Sequence, residues 1–299
     1  MIEELRRQRS ADGQTLAWHV RAPLRNPDSD PLSDPPSNPV LLVHGLASNA
    51  SRFEEFAHTT SLAERHRLIR VDLRGHGHAL TRRRVGLAVW CDDLRAVLQA
   101  EGGQPAVLVG HSLGAQVVLQ MALRHPGWVR GLVLIDPVFR HALHGRSRWI
   151  AQASPLWSAA ARLVRAINAL GLHRGPLPPL DLRALDRAAR AALANPAAEA
   201  AFIAQYSSTR ADLRHVPLSV YLEDLVAMFH AAPLPRQLPL PVLALLSTGA
   251  TFADAAVMRE ALVGPRVQLQ AIDCHHWPLT ERPLQVREAV ERWCAERSL

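Results

Sequence analysis

Residues 106–125 read AVLVGHSLGAQVVLQMALRH. The apolar run AVLV has no alternation, the mark of a strand buried on both faces. From Ala115 onward the apolar residues recur at helical spacing. Between the two lies Gly110-His111-Ser112-Leu113-Gly114. A chain that turns abruptly from strand to helix holds its turn residue in a strained conformation. It also needs small residues two positions either side, because strand and helix close tightly there. The turn serine then projects above the strand's C-terminal end, at a helix start whose amides favour negative charge. Ser112 is therefore the candidate nucleophile. The plainer alternative is a glycine-rich turn whose serine only caps the helix.

The same rhythm extends outward. VLLVHG, RLIRVDLRG and GLVLID are further short buried-strand runs, with helical segments around residues 50–65 and 85–102 between them. Such alternation predicts an α/β fold, a mostly parallel, doubly wound sheet. After Pro137 the strands stop for about a hundred residues of helical spacing, until PLPRQLPLP, read as a stiff linker, leads into PVLALLS and VQLQAID. The expected organisation is a core of residues 1–136 and 237–299 with a helical cap over 137–236. Residues 23–39, PLRNPDSDPLSDPPSNP, lack the apolar content to pack and read as a loop.

Composition narrows the function classes. At 299 residues and 48% hydrophobic, the chain suits one core with an inserted subdomain. It has no apolar run long enough to span a bilayer and no signal-peptide pattern at its N-terminus, so a cytoplasmic location without stable membrane insertion is expected. The net charge of +7 comes with no lysine, and the arginines are scattered. The run Arg82-Arg83-Arg84 has no aromatic residue for base stacking. Nucleic acid is not the expected partner. Cys91, Cys274 and Cys294 form no CxxC pair, which argues for a reducing compartment rather than a disulfide framework. No phosphate loop or dinucleotide fingerprint is present, so no cofactor is expected. His76, His78, His275 and His276 lie on separate turns without acidic partners, so no metal is expected either.

A serine nucleophile requires a base on a later loop of the same sheet edge. IDCHHWPLTERP offers His275 and His276 just after the last strand. It also requires donors for the oxyanion, each worth about 3–4 kcal/mol of transition-state stabilisation. The amides of Leu46, in VLLVHGLAS, and of Leu113 are the candidates. His44 is expected to be a packed scaffold residue.

Taken in order, HGLASN (44–49), VDLRGHG (71–77), GHSLGA (110–115), LVLIDP (132–137) and HHWPLTERP (275–283) resemble the α/β-hydrolases with a cap domain, among them esterases and lipases. The resemblance implies that His276 is the base, although His275 stands where the family usually has glycine. It makes Asp72, Arg74 and His76 a structural turn. It also places the acid that orients the base three residues after Gly249, and that residue is Phe252. Two candidates replace it. Asp136 ends the strand after the nucleophile strand, where some relatives carry their acid. Asp254 lies two residues beyond Phe252 but also makes a good helix start before AAVMREALV. Asp136 is favoured.

The resemblance implies hydrolysis of a small-molecule carboxylic ester. C–C bond or lactone hydrolysis, or a binding protein that has lost turnover, are the alternatives. Most of Trp149, Leu156, Trp157, Leu163, Ile167, Phe202, Tyr206, Met228 and Phe229 are expected to form the core of the insertion, with a few facing an apolar pocket above Ser112. Arg140, Arg146 and Arg148 are read as a solvated face rather than a carboxylate grip. Oligomeric state is left open.

Overall fold

Leu41 and Val43 face one side of the sheet while Val40 and Leu42 face the other, all four without solvent exposure. That alternation, repeated in the neighbouring strands, gives a sheet with an apolar cluster on each face. The computed structural model describes residues 3–23, 37–193, 196–232, 234–249 and 252–299. Strands β1 (Glu4–Arg9) and β2 (Thr15–Arg21) form an antiparallel hairpin around Asp12 and Gly13, whose φ of 76° suits glycine. Then come β3 (Ser37–Val43), α1 (Glu54–Thr59), β4 (His66–Asp72), α2 (Leu87–Ala100), β5 (Ala106–His111), α3 (Leu113–Arg124) and β6 (Val129–Ile135). Six helices follow: α4 (Gly145–Gln152), α5 (Ser154–Ala169), α6 (Leu182–Ala192), α7 (Pro196–Tyr206), α8 (Thr209–Asp212) and α9 (Leu218–Met228). The chain ends through β7 (Val242–Ser247), α10 (Ala255–Leu262), β8 (Val267–Ile272), α11 (Pro278–Glu281) and α12 (Pro283–Arg297).

The sheet order is β1-β2-β4-β3-β5-β6-β7-β8, parallel except for β1 with β2 and β2 with β4. The chain runs outward from β3 to β4, then returns to place β5 on β3's other side. This reversal opens a crevice at the C-terminal ends of β3 and β5, where ligands bind in open α/β sheets. Gly45 and Ser112 meet there: a Cβ on Gly45 would lie 3.3 Å from the Ser112 Cβ.

The helices between β6 and β7 are fastened to the sheet by buried charge. His76, after β4, pairs with Asp224 of α9 at 2.9 Å, both fully buried. Arg52 reaches both carboxylate oxygens of Asp186 in α6 at 2.7 Å and the Thr280 hydroxyl at the same distance.

Three sequence expectations change. Strand β3 begins at Ser37, inside the expected loop; Pro39, which has no N–H for the ladder, sits where the pairing register shifts between Ser37 and Val40. Residues 24–36 of that loop lie outside the described residues. Residues 234–241 of the proline-rich stretch are less a stiff linker than a packed strap, for Leu238 and Leu240 are buried. In the insertion Phe202 and Phe229 are buried, but Trp149, Leu156, Leu163 and Ile167 lie on the outside. Helical spacing does not reveal which apolar stripe finds a partner. Here α5 spends its other face on α9.

Candidate active site

Ser112 is the first site residue the local fold dictates. It has φ 53° and ψ −114° between β5 and α3, a conformation costing roughly 1–3 kcal/mol that only tight surroundings maintain. Gly110 and Gly114 provide them. A Cβ on Gly110 would collide with the Gly114 carbonyl, and one on Gly114 with the Val43 carbonyl. The spacing in GHSLG is thus a packing requirement.

The Ser112 hydroxyl donates to His276 Nε2 at 2.8 Å, and His276 Nδ1–H donates to Asp136 Oδ2 at 2.5 Å. All three side chains are buried. Asp136 follows the last residue of β6 with φ 43°, a left-handed conformation aspartate tolerates better than most residues. Its other oxygen, Oδ1, accepts from the Ser247 amide at 2.8 Å and the Ser247 hydroxyl at 2.7 Å. Burial pushes the Asp136 carboxyl up, but the hydrogen bonds from His276 and Ser247 prevail and hold it below the usual carboxylate range. An ionised Asp136 fixes the proton of His276 on Nδ1 and leaves the Nε2 lone pair toward the serine.

The structure separates the two candidate acids. Asp254 caps α10, its carboxylate accepting from the Ala256 amide at 2.8 Å and the Val257 amide at 3.1 Å. It is not brought to His276. At the position where the family pattern expects an acid, Phe252 packs edge-on against the His276 ring, centroids 4.8 Å apart. His275 turns outward and bonds Glu199 of α7 at 2.6 Å.

The oxyanion candidates lie on the two segments that meet at Ser112. Leu113 is the first residue of α3, where amides have no acceptor within the helix. Leu46 follows Gly45, which lies against the Ser112 Cβ. His44 donates from Nδ1 to the Gly45 carbonyl at 2.8 Å and accepts the Leu73 amide on Nε2 at 3.0 Å. Burial pulls its imidazole down to about 3, so the ring is a neutral brace.

Two supporting residues went unread in the sequence. His111 donates through Nε2 to the His276 carbonyl at 3.0 Å, and burial pulls its imidazole down to about 3. Ser247 holds Asp136 through its amide and hydroxyl. A polar residue ending the apolar run VLALLS, beside the strand that leads into Asp136, was the available signal for it.

His19, Asp72 and His78 bring potential metal ligands within 4.8 Å of one another. Asp72 is already engaged by the Ala50 amide, the His78 amide and the His78 ring, and so serves the turn. A small cavity behind Asp136 is walled by Val138, Leu246, Phe252 and Met258. A larger one of about 520 Å³ lies against the loop after β6, between Phe139, Leu143 and Ala151, with Arg140, His141 and Arg148 on its rim. Arg140 and Arg148 thus face a cavity rather than only solvent.

The signature of the alpha/beta hydrolase family matches residues 40–289. The chain belongs to that family. Among curated relatives it is 34% identical over 156 residues to a lipase of Mycobacterium tuberculosis, covering 48% of this chain and 56% of that protein. It is 31% identical over 97 residues to the sn-1-specific diacylglycerol lipase of Mus musculus, covering 32% of each. These matches span about a third to a half of the relatives' own lengths. In overall fold the chain resembles an esterase of Thermogutta terrifontis with TM-score 0.66, 19% identity and 99% of each chain covered. It also resembles E-2-(acetamidomethylene)succinate hydrolase, with TM-score 0.64, 19% identity, and 98% of this chain and 100% of that one covered.

Proposed function

We propose that this hydrolase cleaves carboxylic esters through an acyl-enzyme, with Ser112 as nucleophile, His276 as general acid–base and Asp136 as the orienting acid. The observation that carries the reading is the unbroken chain Ser112 Oγ, His276 Nε2, His276 Nδ1, Asp136 Oδ2, at 2.8 and 2.5 Å.

Each step follows from those positions. His276 Nε2 takes the Ser112 proton as Oγ attacks the ester carbonyl. The Leu46 and Leu113 amides receive the developing oxyanion, and Asp136 stabilises the imidazolium. His276 then returns the proton to the departing alcohol, leaving the acyl group on Ser112. Water enters, gives its proton to Nε2, attacks the acyl carbon and frees the acid as the proton returns to Ser112.

Residues 137–236 act as a cap on a core of 1–136 and 237–299, held by the His76–Asp224 and Arg52–Asp186 pairs. Acyl or alcohol groups of mainly hydrophobic character are the substrates this reading favours, in keeping with the lipases among its relatives. Phe252 stands in the usual acid's place, but Asp136 supplies a carboxylate to His276 from another strand, which favours turnover over a binding protein without it.

The test is covalent labelling. The protein should react with a fluorophosphonate and show a burst with a p-nitrophenyl ester, and Ser112→Ala should abolish both. Undiminished labelling of the alanine variant would sink the nucleophile assignment.

A further inference from the structure

The outer face of α4 and α5 combines two features seldom found together on a surface. The first is apolar area. Half of the exposed large apolar side chains among the described residues fall in one short stretch: Trp149, Leu156, Leu163, Ile167, Leu170 and Leu172. They are not scattered. Leu156, Leu163, Ile167 and Leu170 stand at spacings of seven, four and three, one stripe along α5. Leu163 is 63% exposed and Leu170 77%, and Trp149 on α4 is 72% exposed. The opposite face of α5 is already occupied, with Ala161 buried and α9 packed along it. This stripe is a second apolar face that nothing among the described residues covers, and contiguous exposed apolar surface marks an interaction site.

The second feature is charge of one sign. From Pro137 to Leu180 the chain has six arginines and no aspartate or glutamate. Arg165 is taken up by Glu223, and Arg174 donates to the Leu213 carbonyl. Arg140, Arg146, Arg148 and Arg162 make no ion pair among the described residues. Arg162 stands on the exposed side of α5, next in sequence to Leu163.

A second copy of the chain fits this face poorly. A two-fold contact would set the patch against itself, arginine against arginine, with no carboxylate in residues 137–180 to answer them. An anionic lipid surface answers both features. Its acyl region receives Leu163, Leu170 and Trp149, and its headgroups receive Arg146 of α4 and Arg162 of α5, both exposed. We therefore propose that the α4–α5 face docks this hydrolase on the surface of a membrane rich in anionic lipid. No helix among the described residues is long and apolar enough to cross a membrane; the helix pair lies on the surface instead.

The experiment is co-sedimentation of the full chain with phosphatidylcholine vesicles, with and without phosphatidylglycerol, at low and high salt. Binding should require phosphatidylglycerol and weaken in high salt. Arg146→Gln and Arg162→Gln should each lower the partition coefficient about fivefold. Leu163→Glu with Leu170→Glu should abolish binding while the thermal melt stays at the wild-type temperature, because both side chains are exposed. The proposal is overturned if the chain ignores both vesicle types, or if it binds them equally at any salt. It is also overturned if light scattering finds a dimer that Leu163→Glu dissociates, an outcome assigning the face to a second copy.

Discussion

Two aspartates separated by 118 positions compete for one role in the sequence, and their hydrogen bonds divide them. Asp136 accepts from His276 and Ser247; Asp254 accepts only backbone amides at the start of α10. Asp136→Asn should therefore lower kcat by about four orders of magnitude with the fold intact, since an amide at that position selects the wrong histidine tautomer. Asp254→Asn should leave kcat near wild type and cost at most about 1 kcal/mol in a denaturant melt. A crippled Asp254→Asn with an active Asp136→Asn would reverse the assignment. At this scale the proposed nucleophile, Ser112, was the most legible residue, because GHSLG encodes its own turn. The acid was not. Nothing local to LVLIDP states which side chain lies above the neighbouring strand.

At the scale of elements, α9 is bound to the sheet by an interaction invisible in its periodicity. Its Asp224 is buried against His76, and the second carboxylate oxygen and His76 Nδ1 find no hydrogen-bond partner among the described residues. Burial pulls the His76 imidazole down, and the adjacent carboxylate more than reverses it, so the ring sits above its usual range. Breaking such a pair strands one buried polar group. Asp224→Ala should cost about 3–5 kcal/mol of stability, measured by urea unfolding. Replacing His76 and Asp224 together by apolar residues should cost less than Asp224→Ala alone; a double variant worse than the single one would contradict this account. The helices of the insertion were legible as helices. Their pairing was not, because α5 presents apolar residues on two faces and only contact with α9 chooses one.

Across the whole molecule, stability should carry an acid-side component. Burial, with the nearby Asp224, raises the Asp212 carboxyl from 3.8 to about 7. Between those values the folded chain holds a proton that the unfolded chain has released, so stability falls as the pH rises through that window. Asp212→Asn should remove that part of the slope. The difference in melting temperature, variant minus wild type, should therefore grow from pH 4 to pH 7. A difference that stays flat or shrinks would show that Asp212 titrates normally.

The sequence alone determined the parallel sheet, the helical insertion between β6 and β7 and the strained turn at Ser112. These depend on local quantities: runs of apolar residues, their period, and glycines at fixed offsets. Tertiary structure decided the rest. It set Asp136 rather than Asp254 against His276, turned His275 out to Glu199, laid Phe252 on the His276 ring, and left the α5 stripe exposed. Each of these outcomes depends on which strand tips and helix faces become neighbours. That is settled by the order of strands in the sheet, and no short window of sequence contains it.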